Sequence, residues 1–594
     1  MSLKRPWLQR LWLTGQSVAE YTVDDPVQLA LQVSRRMPPA LRSAAGNSLA
    51  RLGSAARGPV EAIGREMAGD REAAELSLER NVDIVSSRSG SRKARRVIPH
   101  LADLALAIGQ PDRARALLEE LPLSERRAPW YATAARIALY LGDHDAAVEM
   151  ASRHPYNEKL AKRMIGEQEI FSGYPIVLPV ETGYQPEEGR VLHVLTNSLP
   201  HTGSGYAQRS HSVLRSLKTE GFEVCAVTRP GYPVQIGVPW AAERDVVDDI
   251  TYCRLLPGRL GQGLRERLEQ FAALLAHEVR EFRPSMLHTT THFVNGLVTG
   301  AVARAFGIPW VYEVRGQLAD TWAATRGPGA MESQRYRQFV ERELAVAGAA
   351  DAVVTLGDRM KESLVRGGID AEKISVCPNA VGAPFTDEPP SRSEARRRLG
   401  LEADAEYVGT VSSIVDYEGL DLLVRAVARL APSHPRLRLR IAGDGVALPG
   451  LKVLAERLEI AHLCDFPGRV PRAEAVWHHA ALDIFVVPRK DLPVTRSVTP
   501  MKSVEASALG RPVIASNLPA LEELVVNGVT GALFEPEDVE SLAGSLATLL
   551  DAPDRQLRMG EAARRWALET RTWTANAEIY STIYSRLGVR RPGA

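Results

Sequence analysis

From residue 190 onward the chain alternates short apolar runs with stretches of helical periodicity. Residues 191–196 (Val-Leu-His-Val-Leu-Thr) form a run of strand length, followed by a loop that contains Gly203 and Gly205. Residues 206–217 then set Tyr206, Val213, Leu214 and Leu217 on one helical face, and Gly221 ends the period. Runs at 223–228, 286–288, 310–314 and 352–355 continue this series, and a second one comprises 407–412, 437–442, 483–487 and 512–515. Apolar runs separated by helices predict parallel sheets covered on both faces. Two such series predict an α/β protein with two doubly wound, Rossmann-like domains facing across a cleft. In such sheets ligands lie beyond the carboxyl ends of the strands.

The front of the chain carries almost no strand pattern. Within residues 1–95, segments 29–36 and 50–57 read as cationic helices or partly ordered linker. A basic amphipathic helix can lie on an anionic membrane face, or it can pack on its own domain. Residues 96–170 contain an internal echo. Ala107-Ile-Gly109-Gln-Pro-Asp112-Arg-Ala114 recurs 33 residues later as Tyr140-Leu-Gly142-Asp-His-Asp145-Ala-Ala147. Each copy reads as helix, glycine turn, helix, near the period of tetratricopeptide hairpins. Two copies make a small helical module, either a partner-binding element or a structural cap. The expected organisation is a helical extension (1–95), a helical-hairpin module (96–185), an acceptor domain (186–382), a donor-nucleotide domain (383–570) and a terminal crossover helix (571–594).

Composition narrows the function. The 594 residues carry a formal charge of +1, which gives no global argument for nucleic acid. No window reaches the ~18 consecutive apolar residues of a membrane span. The four cysteines, Cys225, Cys253, Cys377 and Cys464, match no zinc or redox spacing, as expected for reduced thiols in the cytoplasm.

Two stretches carry candidate chemistry. The loop with Gly203 and Gly205 joins a strand to a helix, where backbone amides can approach an anion. Residues 492–516 read as a turn, a helix opening near Pro500, a glycine stop at Gly510 and a buried strand, with Arg489 and Lys490 just upstream. Lys502 and Glu505 project from the first turns of that helix.

This second stretch resembles the donor-binding segment of retaining glycosyltransferase family four, as does 527–534. Ile441-Ala-Gly443-Asp-Gly445, Phe466-Pro-Gly468-Arg469-Val470-Pro471 and Pro378-Asn379-Ala-Val381 fit the same family. In the first domain, 196–217 and 287–316, with Tyr312-Glu-Val-Arg315-Gly316, fit a subgroup of bacterial surface-polysaccharide enzymes. The likeness spans 190–588 and implies the GT-B fold. It implies that Glu505 is the second glutamate of the family's paired motif and holds the donor ribose hydroxyls. Val498, Thr499, Pro500 and Met501 match the turn against the donor sugar and diphosphate, and 468–470 match the base-contacting segment.

Three positions depart from the family pattern. Its first glutamate falls at Ser497. Its diphosphate-gripping Arg and Lys fall at Ser413 and Glu418, so Arg489, Lys490, Arg496 and Lys502 are the candidate replacements. Its inner histidine falls near Thr290, within His288-Thr-Thr-Thr-His292. His288 reads either as a buried, satisfied histidine or as a donor to substrate, and His292 lies at the mouth of the cleft. Arg315 either pairs with Glu313 or Asp320 or faces a phosphate.

The resemblance implies retaining transfer from a UDP- or GDP-sugar to a saccharide or lipid-linked hydroxyl acceptor, in cell-surface polysaccharide or glycolipid synthesis. No Asp-x-Asp pair ends a strand, so neither a metal nor a cofactor is expected. The expected location is the cytoplasm, peripheral at the inner membrane face through the front of the chain, with the helical module open to a protein partner. The alternative is an inactive GT-B scaffold that recruits partners through that module.

Overall fold

The computed structural model describes residues 10, 12–16, 27, 30, 31, 34, 39–56, 60–87 and 92–591. Two sheets organise the chain. The first contains β1 (Glu187–Leu195), β2 (Glu223–Thr228), β3 (Arg244–Val247), β4 (Ile250–Arg254), β5 (Pro284–Thr290), β6 (Trp310–Val314), β7 (Ala352–Thr355) and β8 (Ile374–Val376). Their spatial order is β3-β4-β2-β1-β5-β6-β7-β8, parallel except for the antiparallel edge pair β3–β4. The second contains β9 (Glu406–Val411), β10 (Leu437–Ala442), β11 (Cys464–Gly468), β12 (Ile484–Val487), β13 (Val513–Ser516) and β14 (Gly531–Phe534). Its order is β11-β10-β9-β12-β13-β14, all parallel. Strand order therefore reverses beside β1 and β5 in one domain and beside β9 and β12 in the other. Crevices open at such switch points.

Burial follows the two-residue period of a strand. On β12, Ile484 and Val486 enter the core on one face of the sheet, and Phe485 and Val487 enter the core on the other. A strand covered on both faces has to be apolar throughout, which is why 484–487 reads as an unbroken run. The structure adds β3, β4, β8, β11 and β14 to the strands expected from the sequence. Most are edge or near-edge strands whose residues (Arg244 and Asp245 in β3, Pro467 in β11) break the apolar run.

The crossover helix Trp573–Arg586 returns to the first domain, burying Trp573, Tyr580, Ile583 and Tyr584 with Val191, Val213 and Val311. At the hinge, Val381 N donates to Arg571 O (2.8 Å) and Trp573 N to Val381 O (3.1 Å).

Before the first sheet the described residues include the helices Pro39–Ala56, Val60–Ala68, Arg71–Ser86, Arg92–Ala107, Pro111–Glu119, Ala128–Leu141, His144–Ser152 and Glu158–Phe171. The echoed segments are the turns at Gly109 and Gly142, each between two of these helices. Ile170 and Phe171, at the end of the last one, join the core of the first sheet, where Phe171 meets Phe293 and Phe339 edge-on at 5.3 and 5.4 Å. Arg335 of the first domain pairs with Glu167 at 2.5 Å and donates its backbone N–H to Gly142 O at 2.8 Å. The helical module is thereby built into the domain it precedes.

Candidate active site

Both switch points carry polar side chains. On the first sheet, the loop after β1 leads into helix Gly205–Thr219, capped by Ser204 Oγ, and the loop after β5 ends at His292, the cap of helix Phe293–Phe306. On the second sheet, residues 412–419 follow β9 and 488–490 follow β12, beside helix Met501–Ala508. The two domains meet here. Asn379 Nδ2 donates to Thr499 O at 2.8 Å, and Val498 packs on the core of the first domain. Glu523 of the second domain accepts from the backbone N–H groups of Asp358 and Arg359 at 3.1 and 2.8 Å.

Glu505 lies in the second turn of helix Met501–Ala508 and is 5% exposed. Arg472 Nη1 stands 2.5 Å from Oε1, yet Oε1 has no aligned hydrogen-bond donor. His479 Nε2 is 3.6 Å from Oε2, just beyond hydrogen-bond distance, and Nδ1 of this buried histidine makes no hydrogen bond. Arg472 itself is nearly half exposed and lies over the Phe385 ring, 4.8 Å from its centroid. Burial pushes the Glu505 carboxyl up, but Arg472 and His479 outweigh it, and the group sits below the ordinary glutamate range. A buried, ionised carboxylate whose counter-charge is a half-exposed guanidinium that can turn aside is suited to accept from hydroxyl donors.

One helical turn closer to the domain boundary, three buried charges meet. Glu418 accepts from Arg489 Nη2 at 3.0 Å and Nε at 3.2 Å, and it pairs closely with Lys502 Nζ. Arg489 Nη1 also donates to Val498 O at 2.7 Å, tying the cations to the turn at 498–501. The trio carries one net positive charge. Burial pulls the Lys502 ammonium down to about 8; Glu418 opposes this and Arg489 adds to it. Burial pushes Glu418 up, but Arg489 and Lys502 outweigh it and hold the carboxyl at about 2. Lys502 is therefore cationic below about pH 8 and loses its charge above it. Affinity for a nucleoside diphosphate is expected to be level between pH 7 and 8 and to fall above pH 8, while affinity for the free nucleoside stays level. Lys502→Ala should lower diphosphate affinity roughly ten- to a hundredfold at pH 7 and abolish the alkaline fall. Calorimetric titration across pH reads both, and equal losses for diphosphate and nucleoside would assign Lys502 to the fold instead.

Residues 204–380 match the family described as "Glycosyl transferase 4-like domain", and 391–566 match "Glycosyl transferases group 1". A D-inositol 3-phosphate glycosyltransferase from Kineococcus radiotolerans is 30% identical over 421 residues, covering 67% of this chain and 94% of that protein. The chain belongs to glycosyltransferase family four. A GDP-mannose-dependent alpha-(1-6)-phosphatidylinositol monomannoside mannosyltransferase from Mycolicibacterium smegmatis is 33% identical over 210 residues, 35% of this chain and 55% of that protein. The chain thus spans about half the length of this relative. The sucrose-phosphate synthase of Thermosynechococcus elongatus superposes with a TM-score of 0.57 at 20% identity, covering 67% of this chain and 99% of that one, and shares the GT-B fold.

Against this family-four framework, several residues singled out in the sequence lie elsewhere than expected. Arg496 turns away to Asp491 (2.5 and 2.6 Å), and Lys490 pairs with Asp421 at 3.3 Å, leaving Arg489 and Lys502 as the converging cations. Arg315 does not face a phosphate. It is 3% exposed and bonds to Glu313 Oε2 (2.8 Å), Ser210 Oγ (2.7 Å) and Tyr206 O (3.1 Å). Alternate residues of a strand share a face, so Glu313 and Arg315 point inward together from the end of β6. His288 is fully buried within β5. It stacks on His193, its partner across the β1–β5 pairing, at 4.5 Å, and its Nδ1 lies 2.6 Å from Tyr584 Oη. His292 is half-buried and stacks on Phe339 at 5.0 Å; burial, reinforced by Arg335, lowers it to about 4, so it is neutral at physiological pH.

The glycines divide in the same way. A Cβ at Gly443 or Gly445 would lie 1.8 or 2.0 Å from the carbonyl oxygens of Ser412 and Ile414, so these two let the 412–419 loop close on β10. At Gly205 nothing lies within 4 Å, and Gly203 meets only the end of Gln208, leaving that loop open to the cleft. Arg469 is exposed and Val470 half-buried at the end of β11, with Pro500 and Met501 at the start of the helix that carries Lys502 and Glu505. Sequence reasoning missed Arg472, His479 and Phe385. The available signal was the pair of cations around Pro471, Arg469 and Arg472, six and three residues before helix Ala475–Ala480. Among the described residues, no three His, Cys, Asp or Glu side chains converge as a metal site, and no helix is long and apolar enough to cross a membrane.

Proposed function

We propose that this glycosyltransferase moves a sugar from a UDP- or GDP-linked donor to a hydroxyl acceptor, with retention of configuration and without a metal ion, in the synthesis of a cell-surface polysaccharide or glycolipid. The observation that carries this reading is Glu505, a buried, ionised carboxylate whose Oε1 meets the half-exposed guanidinium of Arg472, beside the cationic trio. Donor ribose hydroxyls bond Glu505, and the exposed guanidinium of Arg472 gives way to them. The diphosphate meets Lys502, Arg489 and the free amides at the start of helix Met501–Ala508. These groups stabilise the charge that grows as the bond from the anomeric carbon to the diphosphate breaks, a task a divalent ion performs elsewhere. Glu418 is committed to cations and Glu505 to the ribose, so neither forms a glycosyl intermediate. The acceptor oxygen attacks the face the diphosphate leaves, and its proton passes to the departing phosphate oxygen.

A lipid-linked acceptor fits the name of the Mycolicibacterium smegmatis relative, which acts on a phosphatidylinositol monomannoside, whereas the Kineococcus radiotolerans relative is named for D-inositol 3-phosphate. Action at the inner face of the membrane fits the same reading. A non-catalytic scaffold is the second reading, favoured by Glu418 and Ser497 where the family carries a cation and a glutamate. Thermal shift against UDP, GDP, ADP and dTDP distinguishes the two. A ligand at a hundred times its dissociation constant stabilises by about 2.7 kcal/mol, and UDP or GDP is expected to do so alone. The matching nucleotide-sugar should then be hydrolysed slowly in EDTA, releasing the sugar first in the donor's own anomeric form by NMR. Absence of turnover, with or without stabilisation by a nucleotide, would leave the scaffold.

A further inference from the structure

Eight tryptophans fall among the described residues. Six are buried or half-buried, whereas Trp12 is 66% exposed and Trp240 is 73% exposed. These two come from segments more than two hundred residues apart, yet they flank one small cluster. Leu13, the residue after Trp12, is fully buried with Val234, Ala241 and Leu260, and Ala241 is the residue after Trp240. Gln16 fixes the contact: its Nε2 donates to Leu260 O at 2.8 Å, and its Oε1 accepts from Leu260 N at 3.0 Å. The helical turn at 12–16 is therefore docked on the first domain, and the docking leaves two indoles outward.

An exposed apolar face of this kind marks a binding surface, and its chemistry selects the partner. The indole combines a wide apolar ring with one N–H donor, a combination suited to the boundary between lipid and water. The charges agree. Arg10 lies in the docked segment and Arg259 is exposed beside Leu260, while Glu243 and Arg244 beyond Trp240 offset each other. The nine residues before Arg10 contribute Lys4, Arg5 and Trp7 and no acid. The same loops also border the cleft. Tyr232 Oη donates to Ser198 O (2.7 Å) and lies 2.8 Å from Thr202 Oγ1, and Arg254 Nη2 donates to Leu199 O (2.8 Å), joining them to the loop that carries Gly203 and Gly205.

We propose that Trp12 and Trp240 form a composite membrane-docking face, which seats the first domain on the lipid–water interface of an anionic bilayer with its glycine loop beside that surface. A lipid-linked acceptor could then enter the cleft without leaving the bilayer. This consequence rests on the glycosyl-transfer reading, whereas the docking itself does not.

The test uses the full chain and vesicles of phosphatidylcholine with about one third phosphatidylglycerol, near the anionic content at which basic segments bind. Wild-type protein is expected to co-sediment, with a blue-shifted indole emission that brominated acyl chains quench. Trp12→Ala and Trp240→Ala should each reduce partitioning roughly tenfold, and the double variant roughly a hundredfold. Because both side chains are exposed, the variants should melt as wild type does and bind the same nucleotide equally well, so a failure of the donor assignment would be read separately. Wild-type protein that stays in the supernatant would overturn the proposal. So would undiminished sedimentation of the double variant, which would leave the face to a protein partner. Equal binding to pure phosphatidylcholine would overturn it as well, because the basic residues would then have no part in the docking.

Discussion

Glu505→Gln is expected to weaken nucleotide binding by roughly a hundredfold or more and to remove most turnover, with little loss of stability. The carboxylate is ionised at neutral pH and buried, and it lacks an aligned donor on Oε1. Hydrogen bonds to a charged acceptor contribute about 1.5–3 kcal/mol each, and two ribose hydroxyls supply two. Glutamine keeps the shape but exchanges one acceptor for a donor, so at least one bond is lost and an N–H is set against a hydroxyl. Stability changes little because Arg472, the counter-charge, is half exposed and can turn to water. A role confined to the helix dipole would be worth ~0.3–1 kcal/mol in stability and nothing in binding. Calorimetry with the nucleotide, beside a thermal melt, separates the two: a variant that melts early yet binds as before would establish the dipole role.

Glu313→Gln is expected to destabilise the first domain by about 3–5 kcal/mol, the usual cost of removing one partner from a buried ion pair. Glu313 is fully buried between Arg209 (2.8 Å) and Arg315 (2.8 Å), and it also accepts from Tyr580 Oη at 3.0 Å. Removing its charge strands two guanidinium groups that are 2% and 3% exposed. Burial pushes the Glu313 carboxyl up, but Arg315 and Arg209 outweigh this and hold it well below the glutamate range. Its folded-state pKa is thus below its unfolded one, so its stabilisation is complete above the unfolded value near 4.5 and is lost as pH falls from there toward the folded value. The Gln variant should lack that acid-dependent component. Urea denaturation at pH 7 and pH 4 measures both effects, and a shift below ~1 kcal/mol at pH 7 would mean that Arg209 and Arg315 find other counter-charges.

Local chemistry made the framework readable. Strands buried on both faces have to be apolar throughout, so the central strands of both sheets show as runs in the sequence, and the turns at Gly109 and Gly142 show as an echo. The placement of Glu505, one to two turns into a helix that follows a proline turn, was legible for a related reason. The edges were not legible. The β3–β4 hairpin and β11 expose one side, so their residues answer to solvent as much as to the core.

Tertiary structure alone decided which charges meet. Arg489, Lys490, Arg496 and Lys502 look equivalent in the sequence, yet Asp421 and Asp491 take two of them and Glu418, 84 residues before Lys502, gathers the others. Arg315 turned inward because Glu313 shares its face of β6 and Ser210 stands opposite on another helix. Arg472 reached Glu505 from a short turn with no periodic signal, and Leu13 met Ala241 across more than two hundred residues. A side chain's burial follows from its neighbours along a strand or helix, whereas the partner of a long, flexible charge is set by whichever element folds against it.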